Sequence, residues 1–292
     1  MTLFLLKGNV GFKYELRWTI HQSLGKVEED MSFVSIIDGS VLKVTPMRQM
    51  VVPPPISAFE LHLPNSISGV MFANFADFNQ LCVISDSNEI FTFSTKGEKT
   101  EKCVKITGAG GNGFVPKCTT LGLEKVAKLS SDFEQDKELY NWCWSKPDLA
   151  FAACEQMVYA IQISDGAILQ TLILEEPVHA IISSGQETFA ILQEGAVFNI
   201  NDNLELVPWK NGLQLKKCSQ FQVVQDSIIG LDDRSQRLYL DGQEISSGVT
   251  SFFIHSHFLM TTTTSHTLKC LPLNELSLNS WQSESVRALG KN

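Results

Sequence analysis

The sequence predicts an all-β protein, and two observations lead to this prediction. Short runs of alternating apolar residues follow one another along nearly the whole chain, as in strands that bury one face. Asp-Gly or Glu-Gly pairs, which supply the positive φ that tight hairpins need, lie between such runs at positions 38–39, 165–166, 194–195 and 241–242. Helical periodicity is nearly absent, and the best candidate, Asp132–Leu139, is short and polar, which favours a loop.

The strands can be placed from these runs and turns. Hairpins are predicted at Ser32–Ile37 with Val41–Thr45, Gln80–Ser85 with Ile90–Ser94, Met157–Ile163 with Ile168–Leu174, Glu187–Leu192 with Ala196–Ile200, and Gln236–Leu240 with Gln243–Ile245. The opening MTLFLLKG is predicted to be a first strand, and further strands are predicted at Phe12–Trp18, Ala58–Leu63, Gly69–Ala73, Tyr140–Trp144, Leu149–Ala153, Val178–Ser183, Ser227–Leu231, Val249–His255, Phe258–Thr262 and His266–Leu271.

The number of strands favours a β-propeller. A single sandwich holds about seven to nine strands, whereas a propeller groups strands in fours around a channel, so about two dozen strands give about six to seven blades. A unit of three strands with a turn before the last recurs near Gly69–Ser94, Tyr140–Leu174, Val178–Ile200 and Ser227–Ile245. We therefore predict a WD40-like β-propeller over residues 1–275, although no Trp-Asp pair occurs, and a poorly ordered tail over residues 276–292.

The prolines Pro53, Pro54 and Pro55 lie in the middle of VTPMRQMVVPPPISAFELHLP, which begins at Val44. Three consecutive prolines fit neither a helix nor a central strand. This segment is therefore predicted to be an extended connector from one sheet to the next.

Composition narrows the function classes. The net charge of −9 and the pI near 5.2 argue against a nucleic-acid module, because phosphate contacts call for a basic field. No run of 18 apolar residues occurs, and the first residues lack the features of a signal peptide, so neither a membrane span nor secretion is predicted. The seven cysteines are odd in number and form no C-x-x-C pair, which indicates a reducing, intracellular compartment. The predicted location is the cytoplasm and also the nucleus.

The glycine-rich segment Gly108–Gly113, GAGGNG, matches the G-x-G-x-x-G pattern of dinucleotide sites. Such a loop must leave a strand and enter a helix, whose N-terminus holds the phosphates. Pro116 follows too early for that helix, and no Lys-Ser or Lys-Thr follows for a P-loop. The segment is therefore predicted to be a loop between blades, and no cofactor-binding residue is assigned.

The C-terminal histidines are the strongest metal candidates. His255 and His257 would lie on one face of a strand, and His266 and Cys270 could complete a zinc site. Ser256 indicates a hairpin tip, where histidines are ordinary solvated residues, so no metal ligand is assigned. Nucleophile motifs such as G-x-S-x-G and H-E-x-x-H are absent, and no catalytic residue is assigned.

Tryptophans are candidates for a peptide-binding face. Trp142 and Trp144 lie on one side of a predicted strand. A large ring also fills the gap between two twisted sheets, and packing between blades is the favoured interpretation.

The order of several motifs resembles the scaffold subunit of the Elongator complex, the IKAP family. The motifs are VTPMRQMVVPPPISAFEL from Val44, FVSIIDGSVLKV from Phe33, GAGGNGF from Gly108, PWKN from Pro208, IGLDD from Ile229 and VTSFFIHSHFLMTTTTSH from Val249. The likeness extends from about Leu3 to Leu271 and is to the second N-terminal propeller of that subunit, of which this chain would be a fragment.

The resemblance implies a non-catalytic scaffold in a complex that modifies the wobble uridine of certain tRNAs. The implied partners are the catalytic subunit, an acetyl-CoA-dependent radical-SAM enzyme, and the WD40 propeller subunit, with tRNA reached only indirectly and no membrane contact. The full-length parent would form a homodimer through regions absent from this chain. An incomplete ring would leave open strand edges. Two alternatives are a generic cytosolic propeller that binds a peptide or protein, and a propeller enzyme with a site in its channel.

Overall fold

The computed structural model describes residues 2–7, 10–15, 20–23, 32–47, 56–73, 75, 80–94, 103–106, 113–116, 123–129, 139–184, 187–215, 218–224, 226–255 and 258–273. These residues form β-strands and turns, include a short 3₁₀ turn at Trp209–Asn211, and contain no α-helix. The predicted all-β class is therefore confirmed.

Six antiparallel sheets follow one another along the chain, and we number them as blades I to VI. Blade I contains β3 (Ile20–Gln22), β4 (Phe33–Asp38), β5 (Val41–Pro46) and β6 (Phe59–His62). Blade II contains β7 (Ile67–Phe72), β8 (Gln80–Ser85), β9 (Glu89–Ser94) and β12 (Leu123–Lys128). Blade III contains β13 (Tyr140–Lys146), β14 (Leu149–Cys154), β15 (Met157–Gln162) and β16 (Ile168–Ile173).

Blade IV contains β17 (Val178–Ser183), β18 (Thr188–Leu192), β19 (Val197–Ile200) and β20 (Leu206–Pro208). Blade V contains β21 (Gln220–Val224), β22 (Ser227–Asp232), β23 (Arg237–Leu240) and β24 (Gln243–Ser247), and blade VI contains β25 (Val249–His255), β26 (Phe258–Thr263) and β27 (Leu268–Pro272). Two further hairpins are β1 (Thr2–Lys7) with β2 (Val10–Glu15), and β10 (Cys103–Ile106) with β11 (Gly113–Pro116). Six blades agree with the prediction of about six to seven.

The core is divided among the blade interfaces. Each pair of successive blades has its own cluster of buried apolar side chains, such as Leu42 and Val83 between blades I and II. Alternation along a strand produces this arrangement, because Val83 faces blade I while its neighbours Cys82 and Ile84 face blade III. Each central strand is therefore apolar on both faces, as in a stack of sheets around an axis.

The predicted hairpins are confirmed, and their glycines adopt positive φ. The values are 63° at Gly39, 74° at Gly166, 101° at Gly195 and 76° at Gly242. In the β23–β24 hairpin Leu240 pairs with Gln243, and both turn residues, Asp241 and Gly242, have positive φ, which is the type I′ geometry. The Asp-Gly signal in the sequence therefore identified real turns.

The glycine-rich segment corrects one prediction. Strands β9 and β12 pair in one sheet, and the β10–β11 hairpin lies between them in the sequence. The prediction that GAGGNG connects two blades is wrong, because the segment belongs to an insertion within blade II. The location of the glycine-rich segment is thus corrected, but its predicted loop conformation stays a prediction because residues 108–112 lie outside the described residues. The same holds for the predictions about the triple proline, the candidate helix at 132–138 and the tail at 276–292.

Hydrogen bonds join successive blades near the innermost strands. Asn141 on β13 donates to the carbonyl of His179 on β17 at 2.8 Å, and Nε2 of His179 lies 2.7 Å from the carbonyl oxygen of Cys218, just before β21. The amide oxygen of Gln222 on β21 accepts a bond from the backbone N–H of Ile254 on β25 at 3.2 Å. Blades III to VI are thus connected by directional contacts as well as by apolar packing.

Candidate functional site

A cavity of about 190 Å³ lies where the innermost strands of five blades converge. Strands β3, β7, β13, β17 and β21, the first strands of blades I to V, each contribute residues, so the cavity lies at the centre of the propeller. Its lining includes His21, Met71, Trp142, Ile182, Phe221 and Gln222.

The lining of this central cavity is uncharged. Among the described residues that line it, none is Asp, Glu, Lys or Arg, and burial lowers the pKa of His21, which keeps its imidazole neutral at neutral pH. Burial also raises the pKa of the Cys143 thiol to about 12, so this sulfur is protonated and a poor nucleophile. Such a lining provides neither a general acid–base pair nor the positive charge that would bind an anion.

Three side-chain N–H groups of the lining residues are buried without a hydrogen-bond partner. They are Nε1 of Trp142, Nε1 of Trp144 and Nε2 of Gln222. An indole nitrogen only donates a hydrogen bond, and the amide oxygen of Gln222 already accepts one from Ile254. The three unpartnered N–H groups can therefore bond only to acceptors. Residues that line the cavity therefore retain three unused donors.

The predicted packing role of the tryptophans is confirmed for the pair on β13. Trp144 is buried between blades II and III, and its ring meets Phe75 edge-on with centroids 5.5 Å apart. Trp142 lies over Gly69 on β7, where a Cβ would come within 2.2 Å of the indole. Gly69 thus provides the space that lets the indole of one blade lie against the backbone of its neighbour.

The C-terminal histidines and Cys270 are not brought together as a described site. His266 is exposed in the turn between β26 and β27, and Cys270 is exposed on β27. His257 and the side chain of His255 lie outside the described residues. Across the described ranges, no three His, Cys, Asp or Glu side chains are grouped as a metal site would require.

Other side chains of chemically reactive types have structural roles where they are described. Asp232 accepts bonds from the backbone N–H groups of Arg234 and Ser235 and from the Ser235 hydroxyl, and these bonds hold the pKa of its carboxyl below the usual range. Cys82 and Cys154 are buried in strands β8 and β14, where cysteine behaves as a small apolar residue.

Exposed apolar side chains lie on the outer strands of the blades, and the sequence analysis did not identify them. Ile173 on β16 is 75% exposed and Leu169 is 50% exposed. Their runs resemble ordinary strands, and only the position of β16 at the outside of its blade leaves these residues in solvent. Within the described residues, no helix is long and apolar enough to span a membrane.

The fold defines the class of this protein, which is a six-bladed β-propeller. The sequence model of the family described as the ELP1 N-terminal second beta-propeller matches residues 36–288. The chain belongs to this family, which confirms the resemblance found in its motifs.

Curated relatives are consistent with this assignment. Elongator complex protein 1 of Oryctolagus cuniculus is 29% identical over 306 aligned residues, which cover 92% of this chain and 23% of the relative. Putative elongator complex protein 1 of Xenopus laevis is 28% identical over 89% of this chain and 24% of its own length. The chain therefore spans about a quarter of the length of these relatives. Among solved structures, Raptor from Chaetomium thermophilum is 12% identical with a TM-score of 0.47, over 90% of this chain and 25% of that one.

Proposed function

We propose that this chain is a non-catalytic docking module of the Elongator complex and supports modification of the wobble uridine of tRNA. The family match over residues 36–288 carries the proposal. The uncharged lining of the central cavity favours a binding role over an enzymatic one, because acid–base catalysis needs titratable groups positioned at the reacting atoms.

The structure suits this role because its surface is preorganised. Blades III to VI are joined by hydrogen bonds near the inner strands, and each pair of successive blades from I to VI has its own apolar cluster. A partner that docks on such a surface does not have to order it first, which saves part of the entropic cost of association. The proposed partners are the catalytic subunit and the WD40 propeller subunit.

Contact with tRNA is proposed to be indirect. A net charge of −9 disfavours binding to a phosphate backbone. The full-length parent is proposed to dimerise through regions outside this chain, and its location is proposed to be the cytoplasm and also the nucleus.

Affinity purification of the full-length parent tests the proposal. A tagged parent should retain the catalytic and WD40 subunits, and cells that lack it should lose wobble-uridine modification, measured by mass spectrometry of tRNA nucleosides. The control is a parent from which this propeller has been deleted. Failure of the intact parent to retain either subunit, or normal modification in its absence, would overturn the proposal.

A further inference from the structure

The outer strands of the blades differ in how their open edges are protected. An edge strand exposes unpaired backbone groups, and proteins protect such edges with charged residues or proline. Five of the six outer strands carry such residues: Glu60 on β6, Glu124, Lys125 and Lys128 on β12, Pro208 on β20, Glu244 on β24, and Lys269 and Pro272 on β27. Strand β16, ILQTLI, has neither a charge nor a proline.

Strand β16 also presents apolar side chains of high strand propensity to solvent. Ile173 is 75% exposed, and Gln170 and Thr171 beside it are exposed as well. Leu169 forms a bulge, because Ile168 and Gln170 pair with successive residues of β15. Bulges also occur in the outer strands β12 and β24, so the bulge does not distinguish β16. The part from Gln170 to Ile173 keeps a regular ladder.

Glutamates surround the Ile173 end of this edge. Glu155 lies in the β14–β15 turn, Glu175 and Glu176 follow β16, and Glu194 lies in the β18–β19 turn. The carboxylate of Glu176 accepts the backbone N–H of Glu194 at 3.3 Å, and Val178 donates to the carbonyl of Glu155 at 2.7 Å, so these turns are adjacent. None of the ion pairs found in the described part of the chain includes these four glutamates.

We propose that β16 accepts an additional antiparallel strand from a protein partner, and that this segment consists of alternating apolar residues preceded by Lys or Arg. Strand addition satisfies the open edge with main-chain hydrogen bonds. Antiparallel pairing continues the order of the blade and places the N-terminal end of the added strand beside Ile173. Basic residues at that end then meet the glutamates, which supplies charge complementarity. This inference deepens the docking function proposed above and rests on it for the partner being another protein.

A synthetic peptide tests this inference with the 292-residue chain. The probe is Lys-Lys-Arg followed by three Val-Thr repeats, with a fluorophore at its C-terminus, and binding is measured by fluorescence anisotropy. The Ile173→Lys variant should weaken binding at least tenfold, since it places a charge on the edge at a mostly exposed position. The matched control is Val207→Lys on β20, a half-exposed position on an edge already protected by Pro208, and it should change the affinity less than twofold.

Two further measurements make the test specific. A peptide with the basic residues moved to its C-terminus should bind at least fivefold more weakly, and Glu175→Gln combined with Glu176→Gln should reduce the dependence of binding on salt. Circular dichroism verifies that each variant folds. If Ile173→Lys does not fold, Leu169→Lys serves as a second edge variant.

Several outcomes would overturn the inference. These are equal affinities of wild type and the edge variants, equal loss in Val207→Lys, equal binding of the reversed peptide, and dimerisation of the chain through Ile173 in sedimentation experiments. If the wild-type chain does not bind the peptide but the parent retains the Elongator subunits, the edge site alone is overturned. Intact peptide binding with failed co-purification overturns the Elongator function alone.

Discussion

Gly195 should be one of the residues whose replacement destabilises the propeller most. It lies in the β18–β19 turn with φ of 101°, where an added Cβ would come within 1.8 Å of the carbonyl oxygen of Leu215. The backbone N–H of Leu215 donates to the Gly195 carbonyl at 2.7 Å, and the Leu215 side chain is 2% exposed in the cluster between blades IV and V. Because the clash is with backbone, the turn and the segment that leads to blade V must separate.

The expected cost of Gly195→Ala is about 3 kcal/mol of unfolding free energy. About 1–2 kcal/mol comes from the left-handed conformation and about 1 kcal/mol from the hydrogen bond to Leu215. Gly39→Ala is the matched control, because Gly39 has φ of 63° but nothing within 4 Å of its Cβ position, and it should cost only about 1–2 kcal/mol.

Urea unfolding, followed by tryptophan fluorescence and far-UV circular dichroism, measures both values. Coincident transitions of the two probes would justify a single free energy for each variant. If the two variants are destabilised equally within about 0.5 kcal/mol, the clash with Leu215 has no energetic weight, and the reasoning about this turn is wrong.

Three other outcomes can be measured. Ser145→Ala and Thr188→Val should show a coupling of about 1 kcal/mol in a double-mutant cycle, because their buried hydroxyls lie 2.6 Å apart between blades III and IV; strict additivity would contradict this. Burial raises the pKa of Cys143 and Cys218 in the folded chain to about 12, from an ordinary 9.0. Their contribution to stability is therefore complete below pH 9. It decreases toward pH 12 by about 1.4 kcal/mol per pH unit for each thiol, because the unfolded chain ionises first. The decrease of the urea midpoint with rising pH, measured from pH 8 upward, should therefore become less steep when both residues are replaced by Ala, and an unchanged slope would contradict this. Cys270, which is exposed, should react with iodoacetamide in the native chain before either buried thiol, and peptide mass spectrometry would detect the opposite order.

The central strands and hairpins could be predicted from the sequence because both of their faces are apolar and their turns are marked. The pair Asp241-Gly242 is an example, since the turn that it forms requires positive φ at both positions. Strands β3, β10, β11, β12, β20 and β21 were not predicted. Strand β12, LEKVAK, explains one of these omissions, because an outer strand carries charge and shows little apolar alternation.

The central cavity could not be predicted, because it brings together residues far apart in the sequence. His21 and Gln222 line the same space although about two hundred positions separate them. The packing of Trp142 and Trp144 was predictable in kind, since large rings fill gaps between twisted sheets. The contact with Gly69 was not, because it depends on which strands become neighbours around the axis.

Strand β9 pairs with β12, although the β10–β11 hairpin lies between them in the sequence. Because the entropic cost of closing a loop grows only slowly with its length, residues added to this connection should cost the β9–β12 pairing little. The connection between β9 and β12 is therefore a suitable insertion site. An epitope tag or a fluorescent reporter could be introduced there into the parent protein without changing the propeller fold.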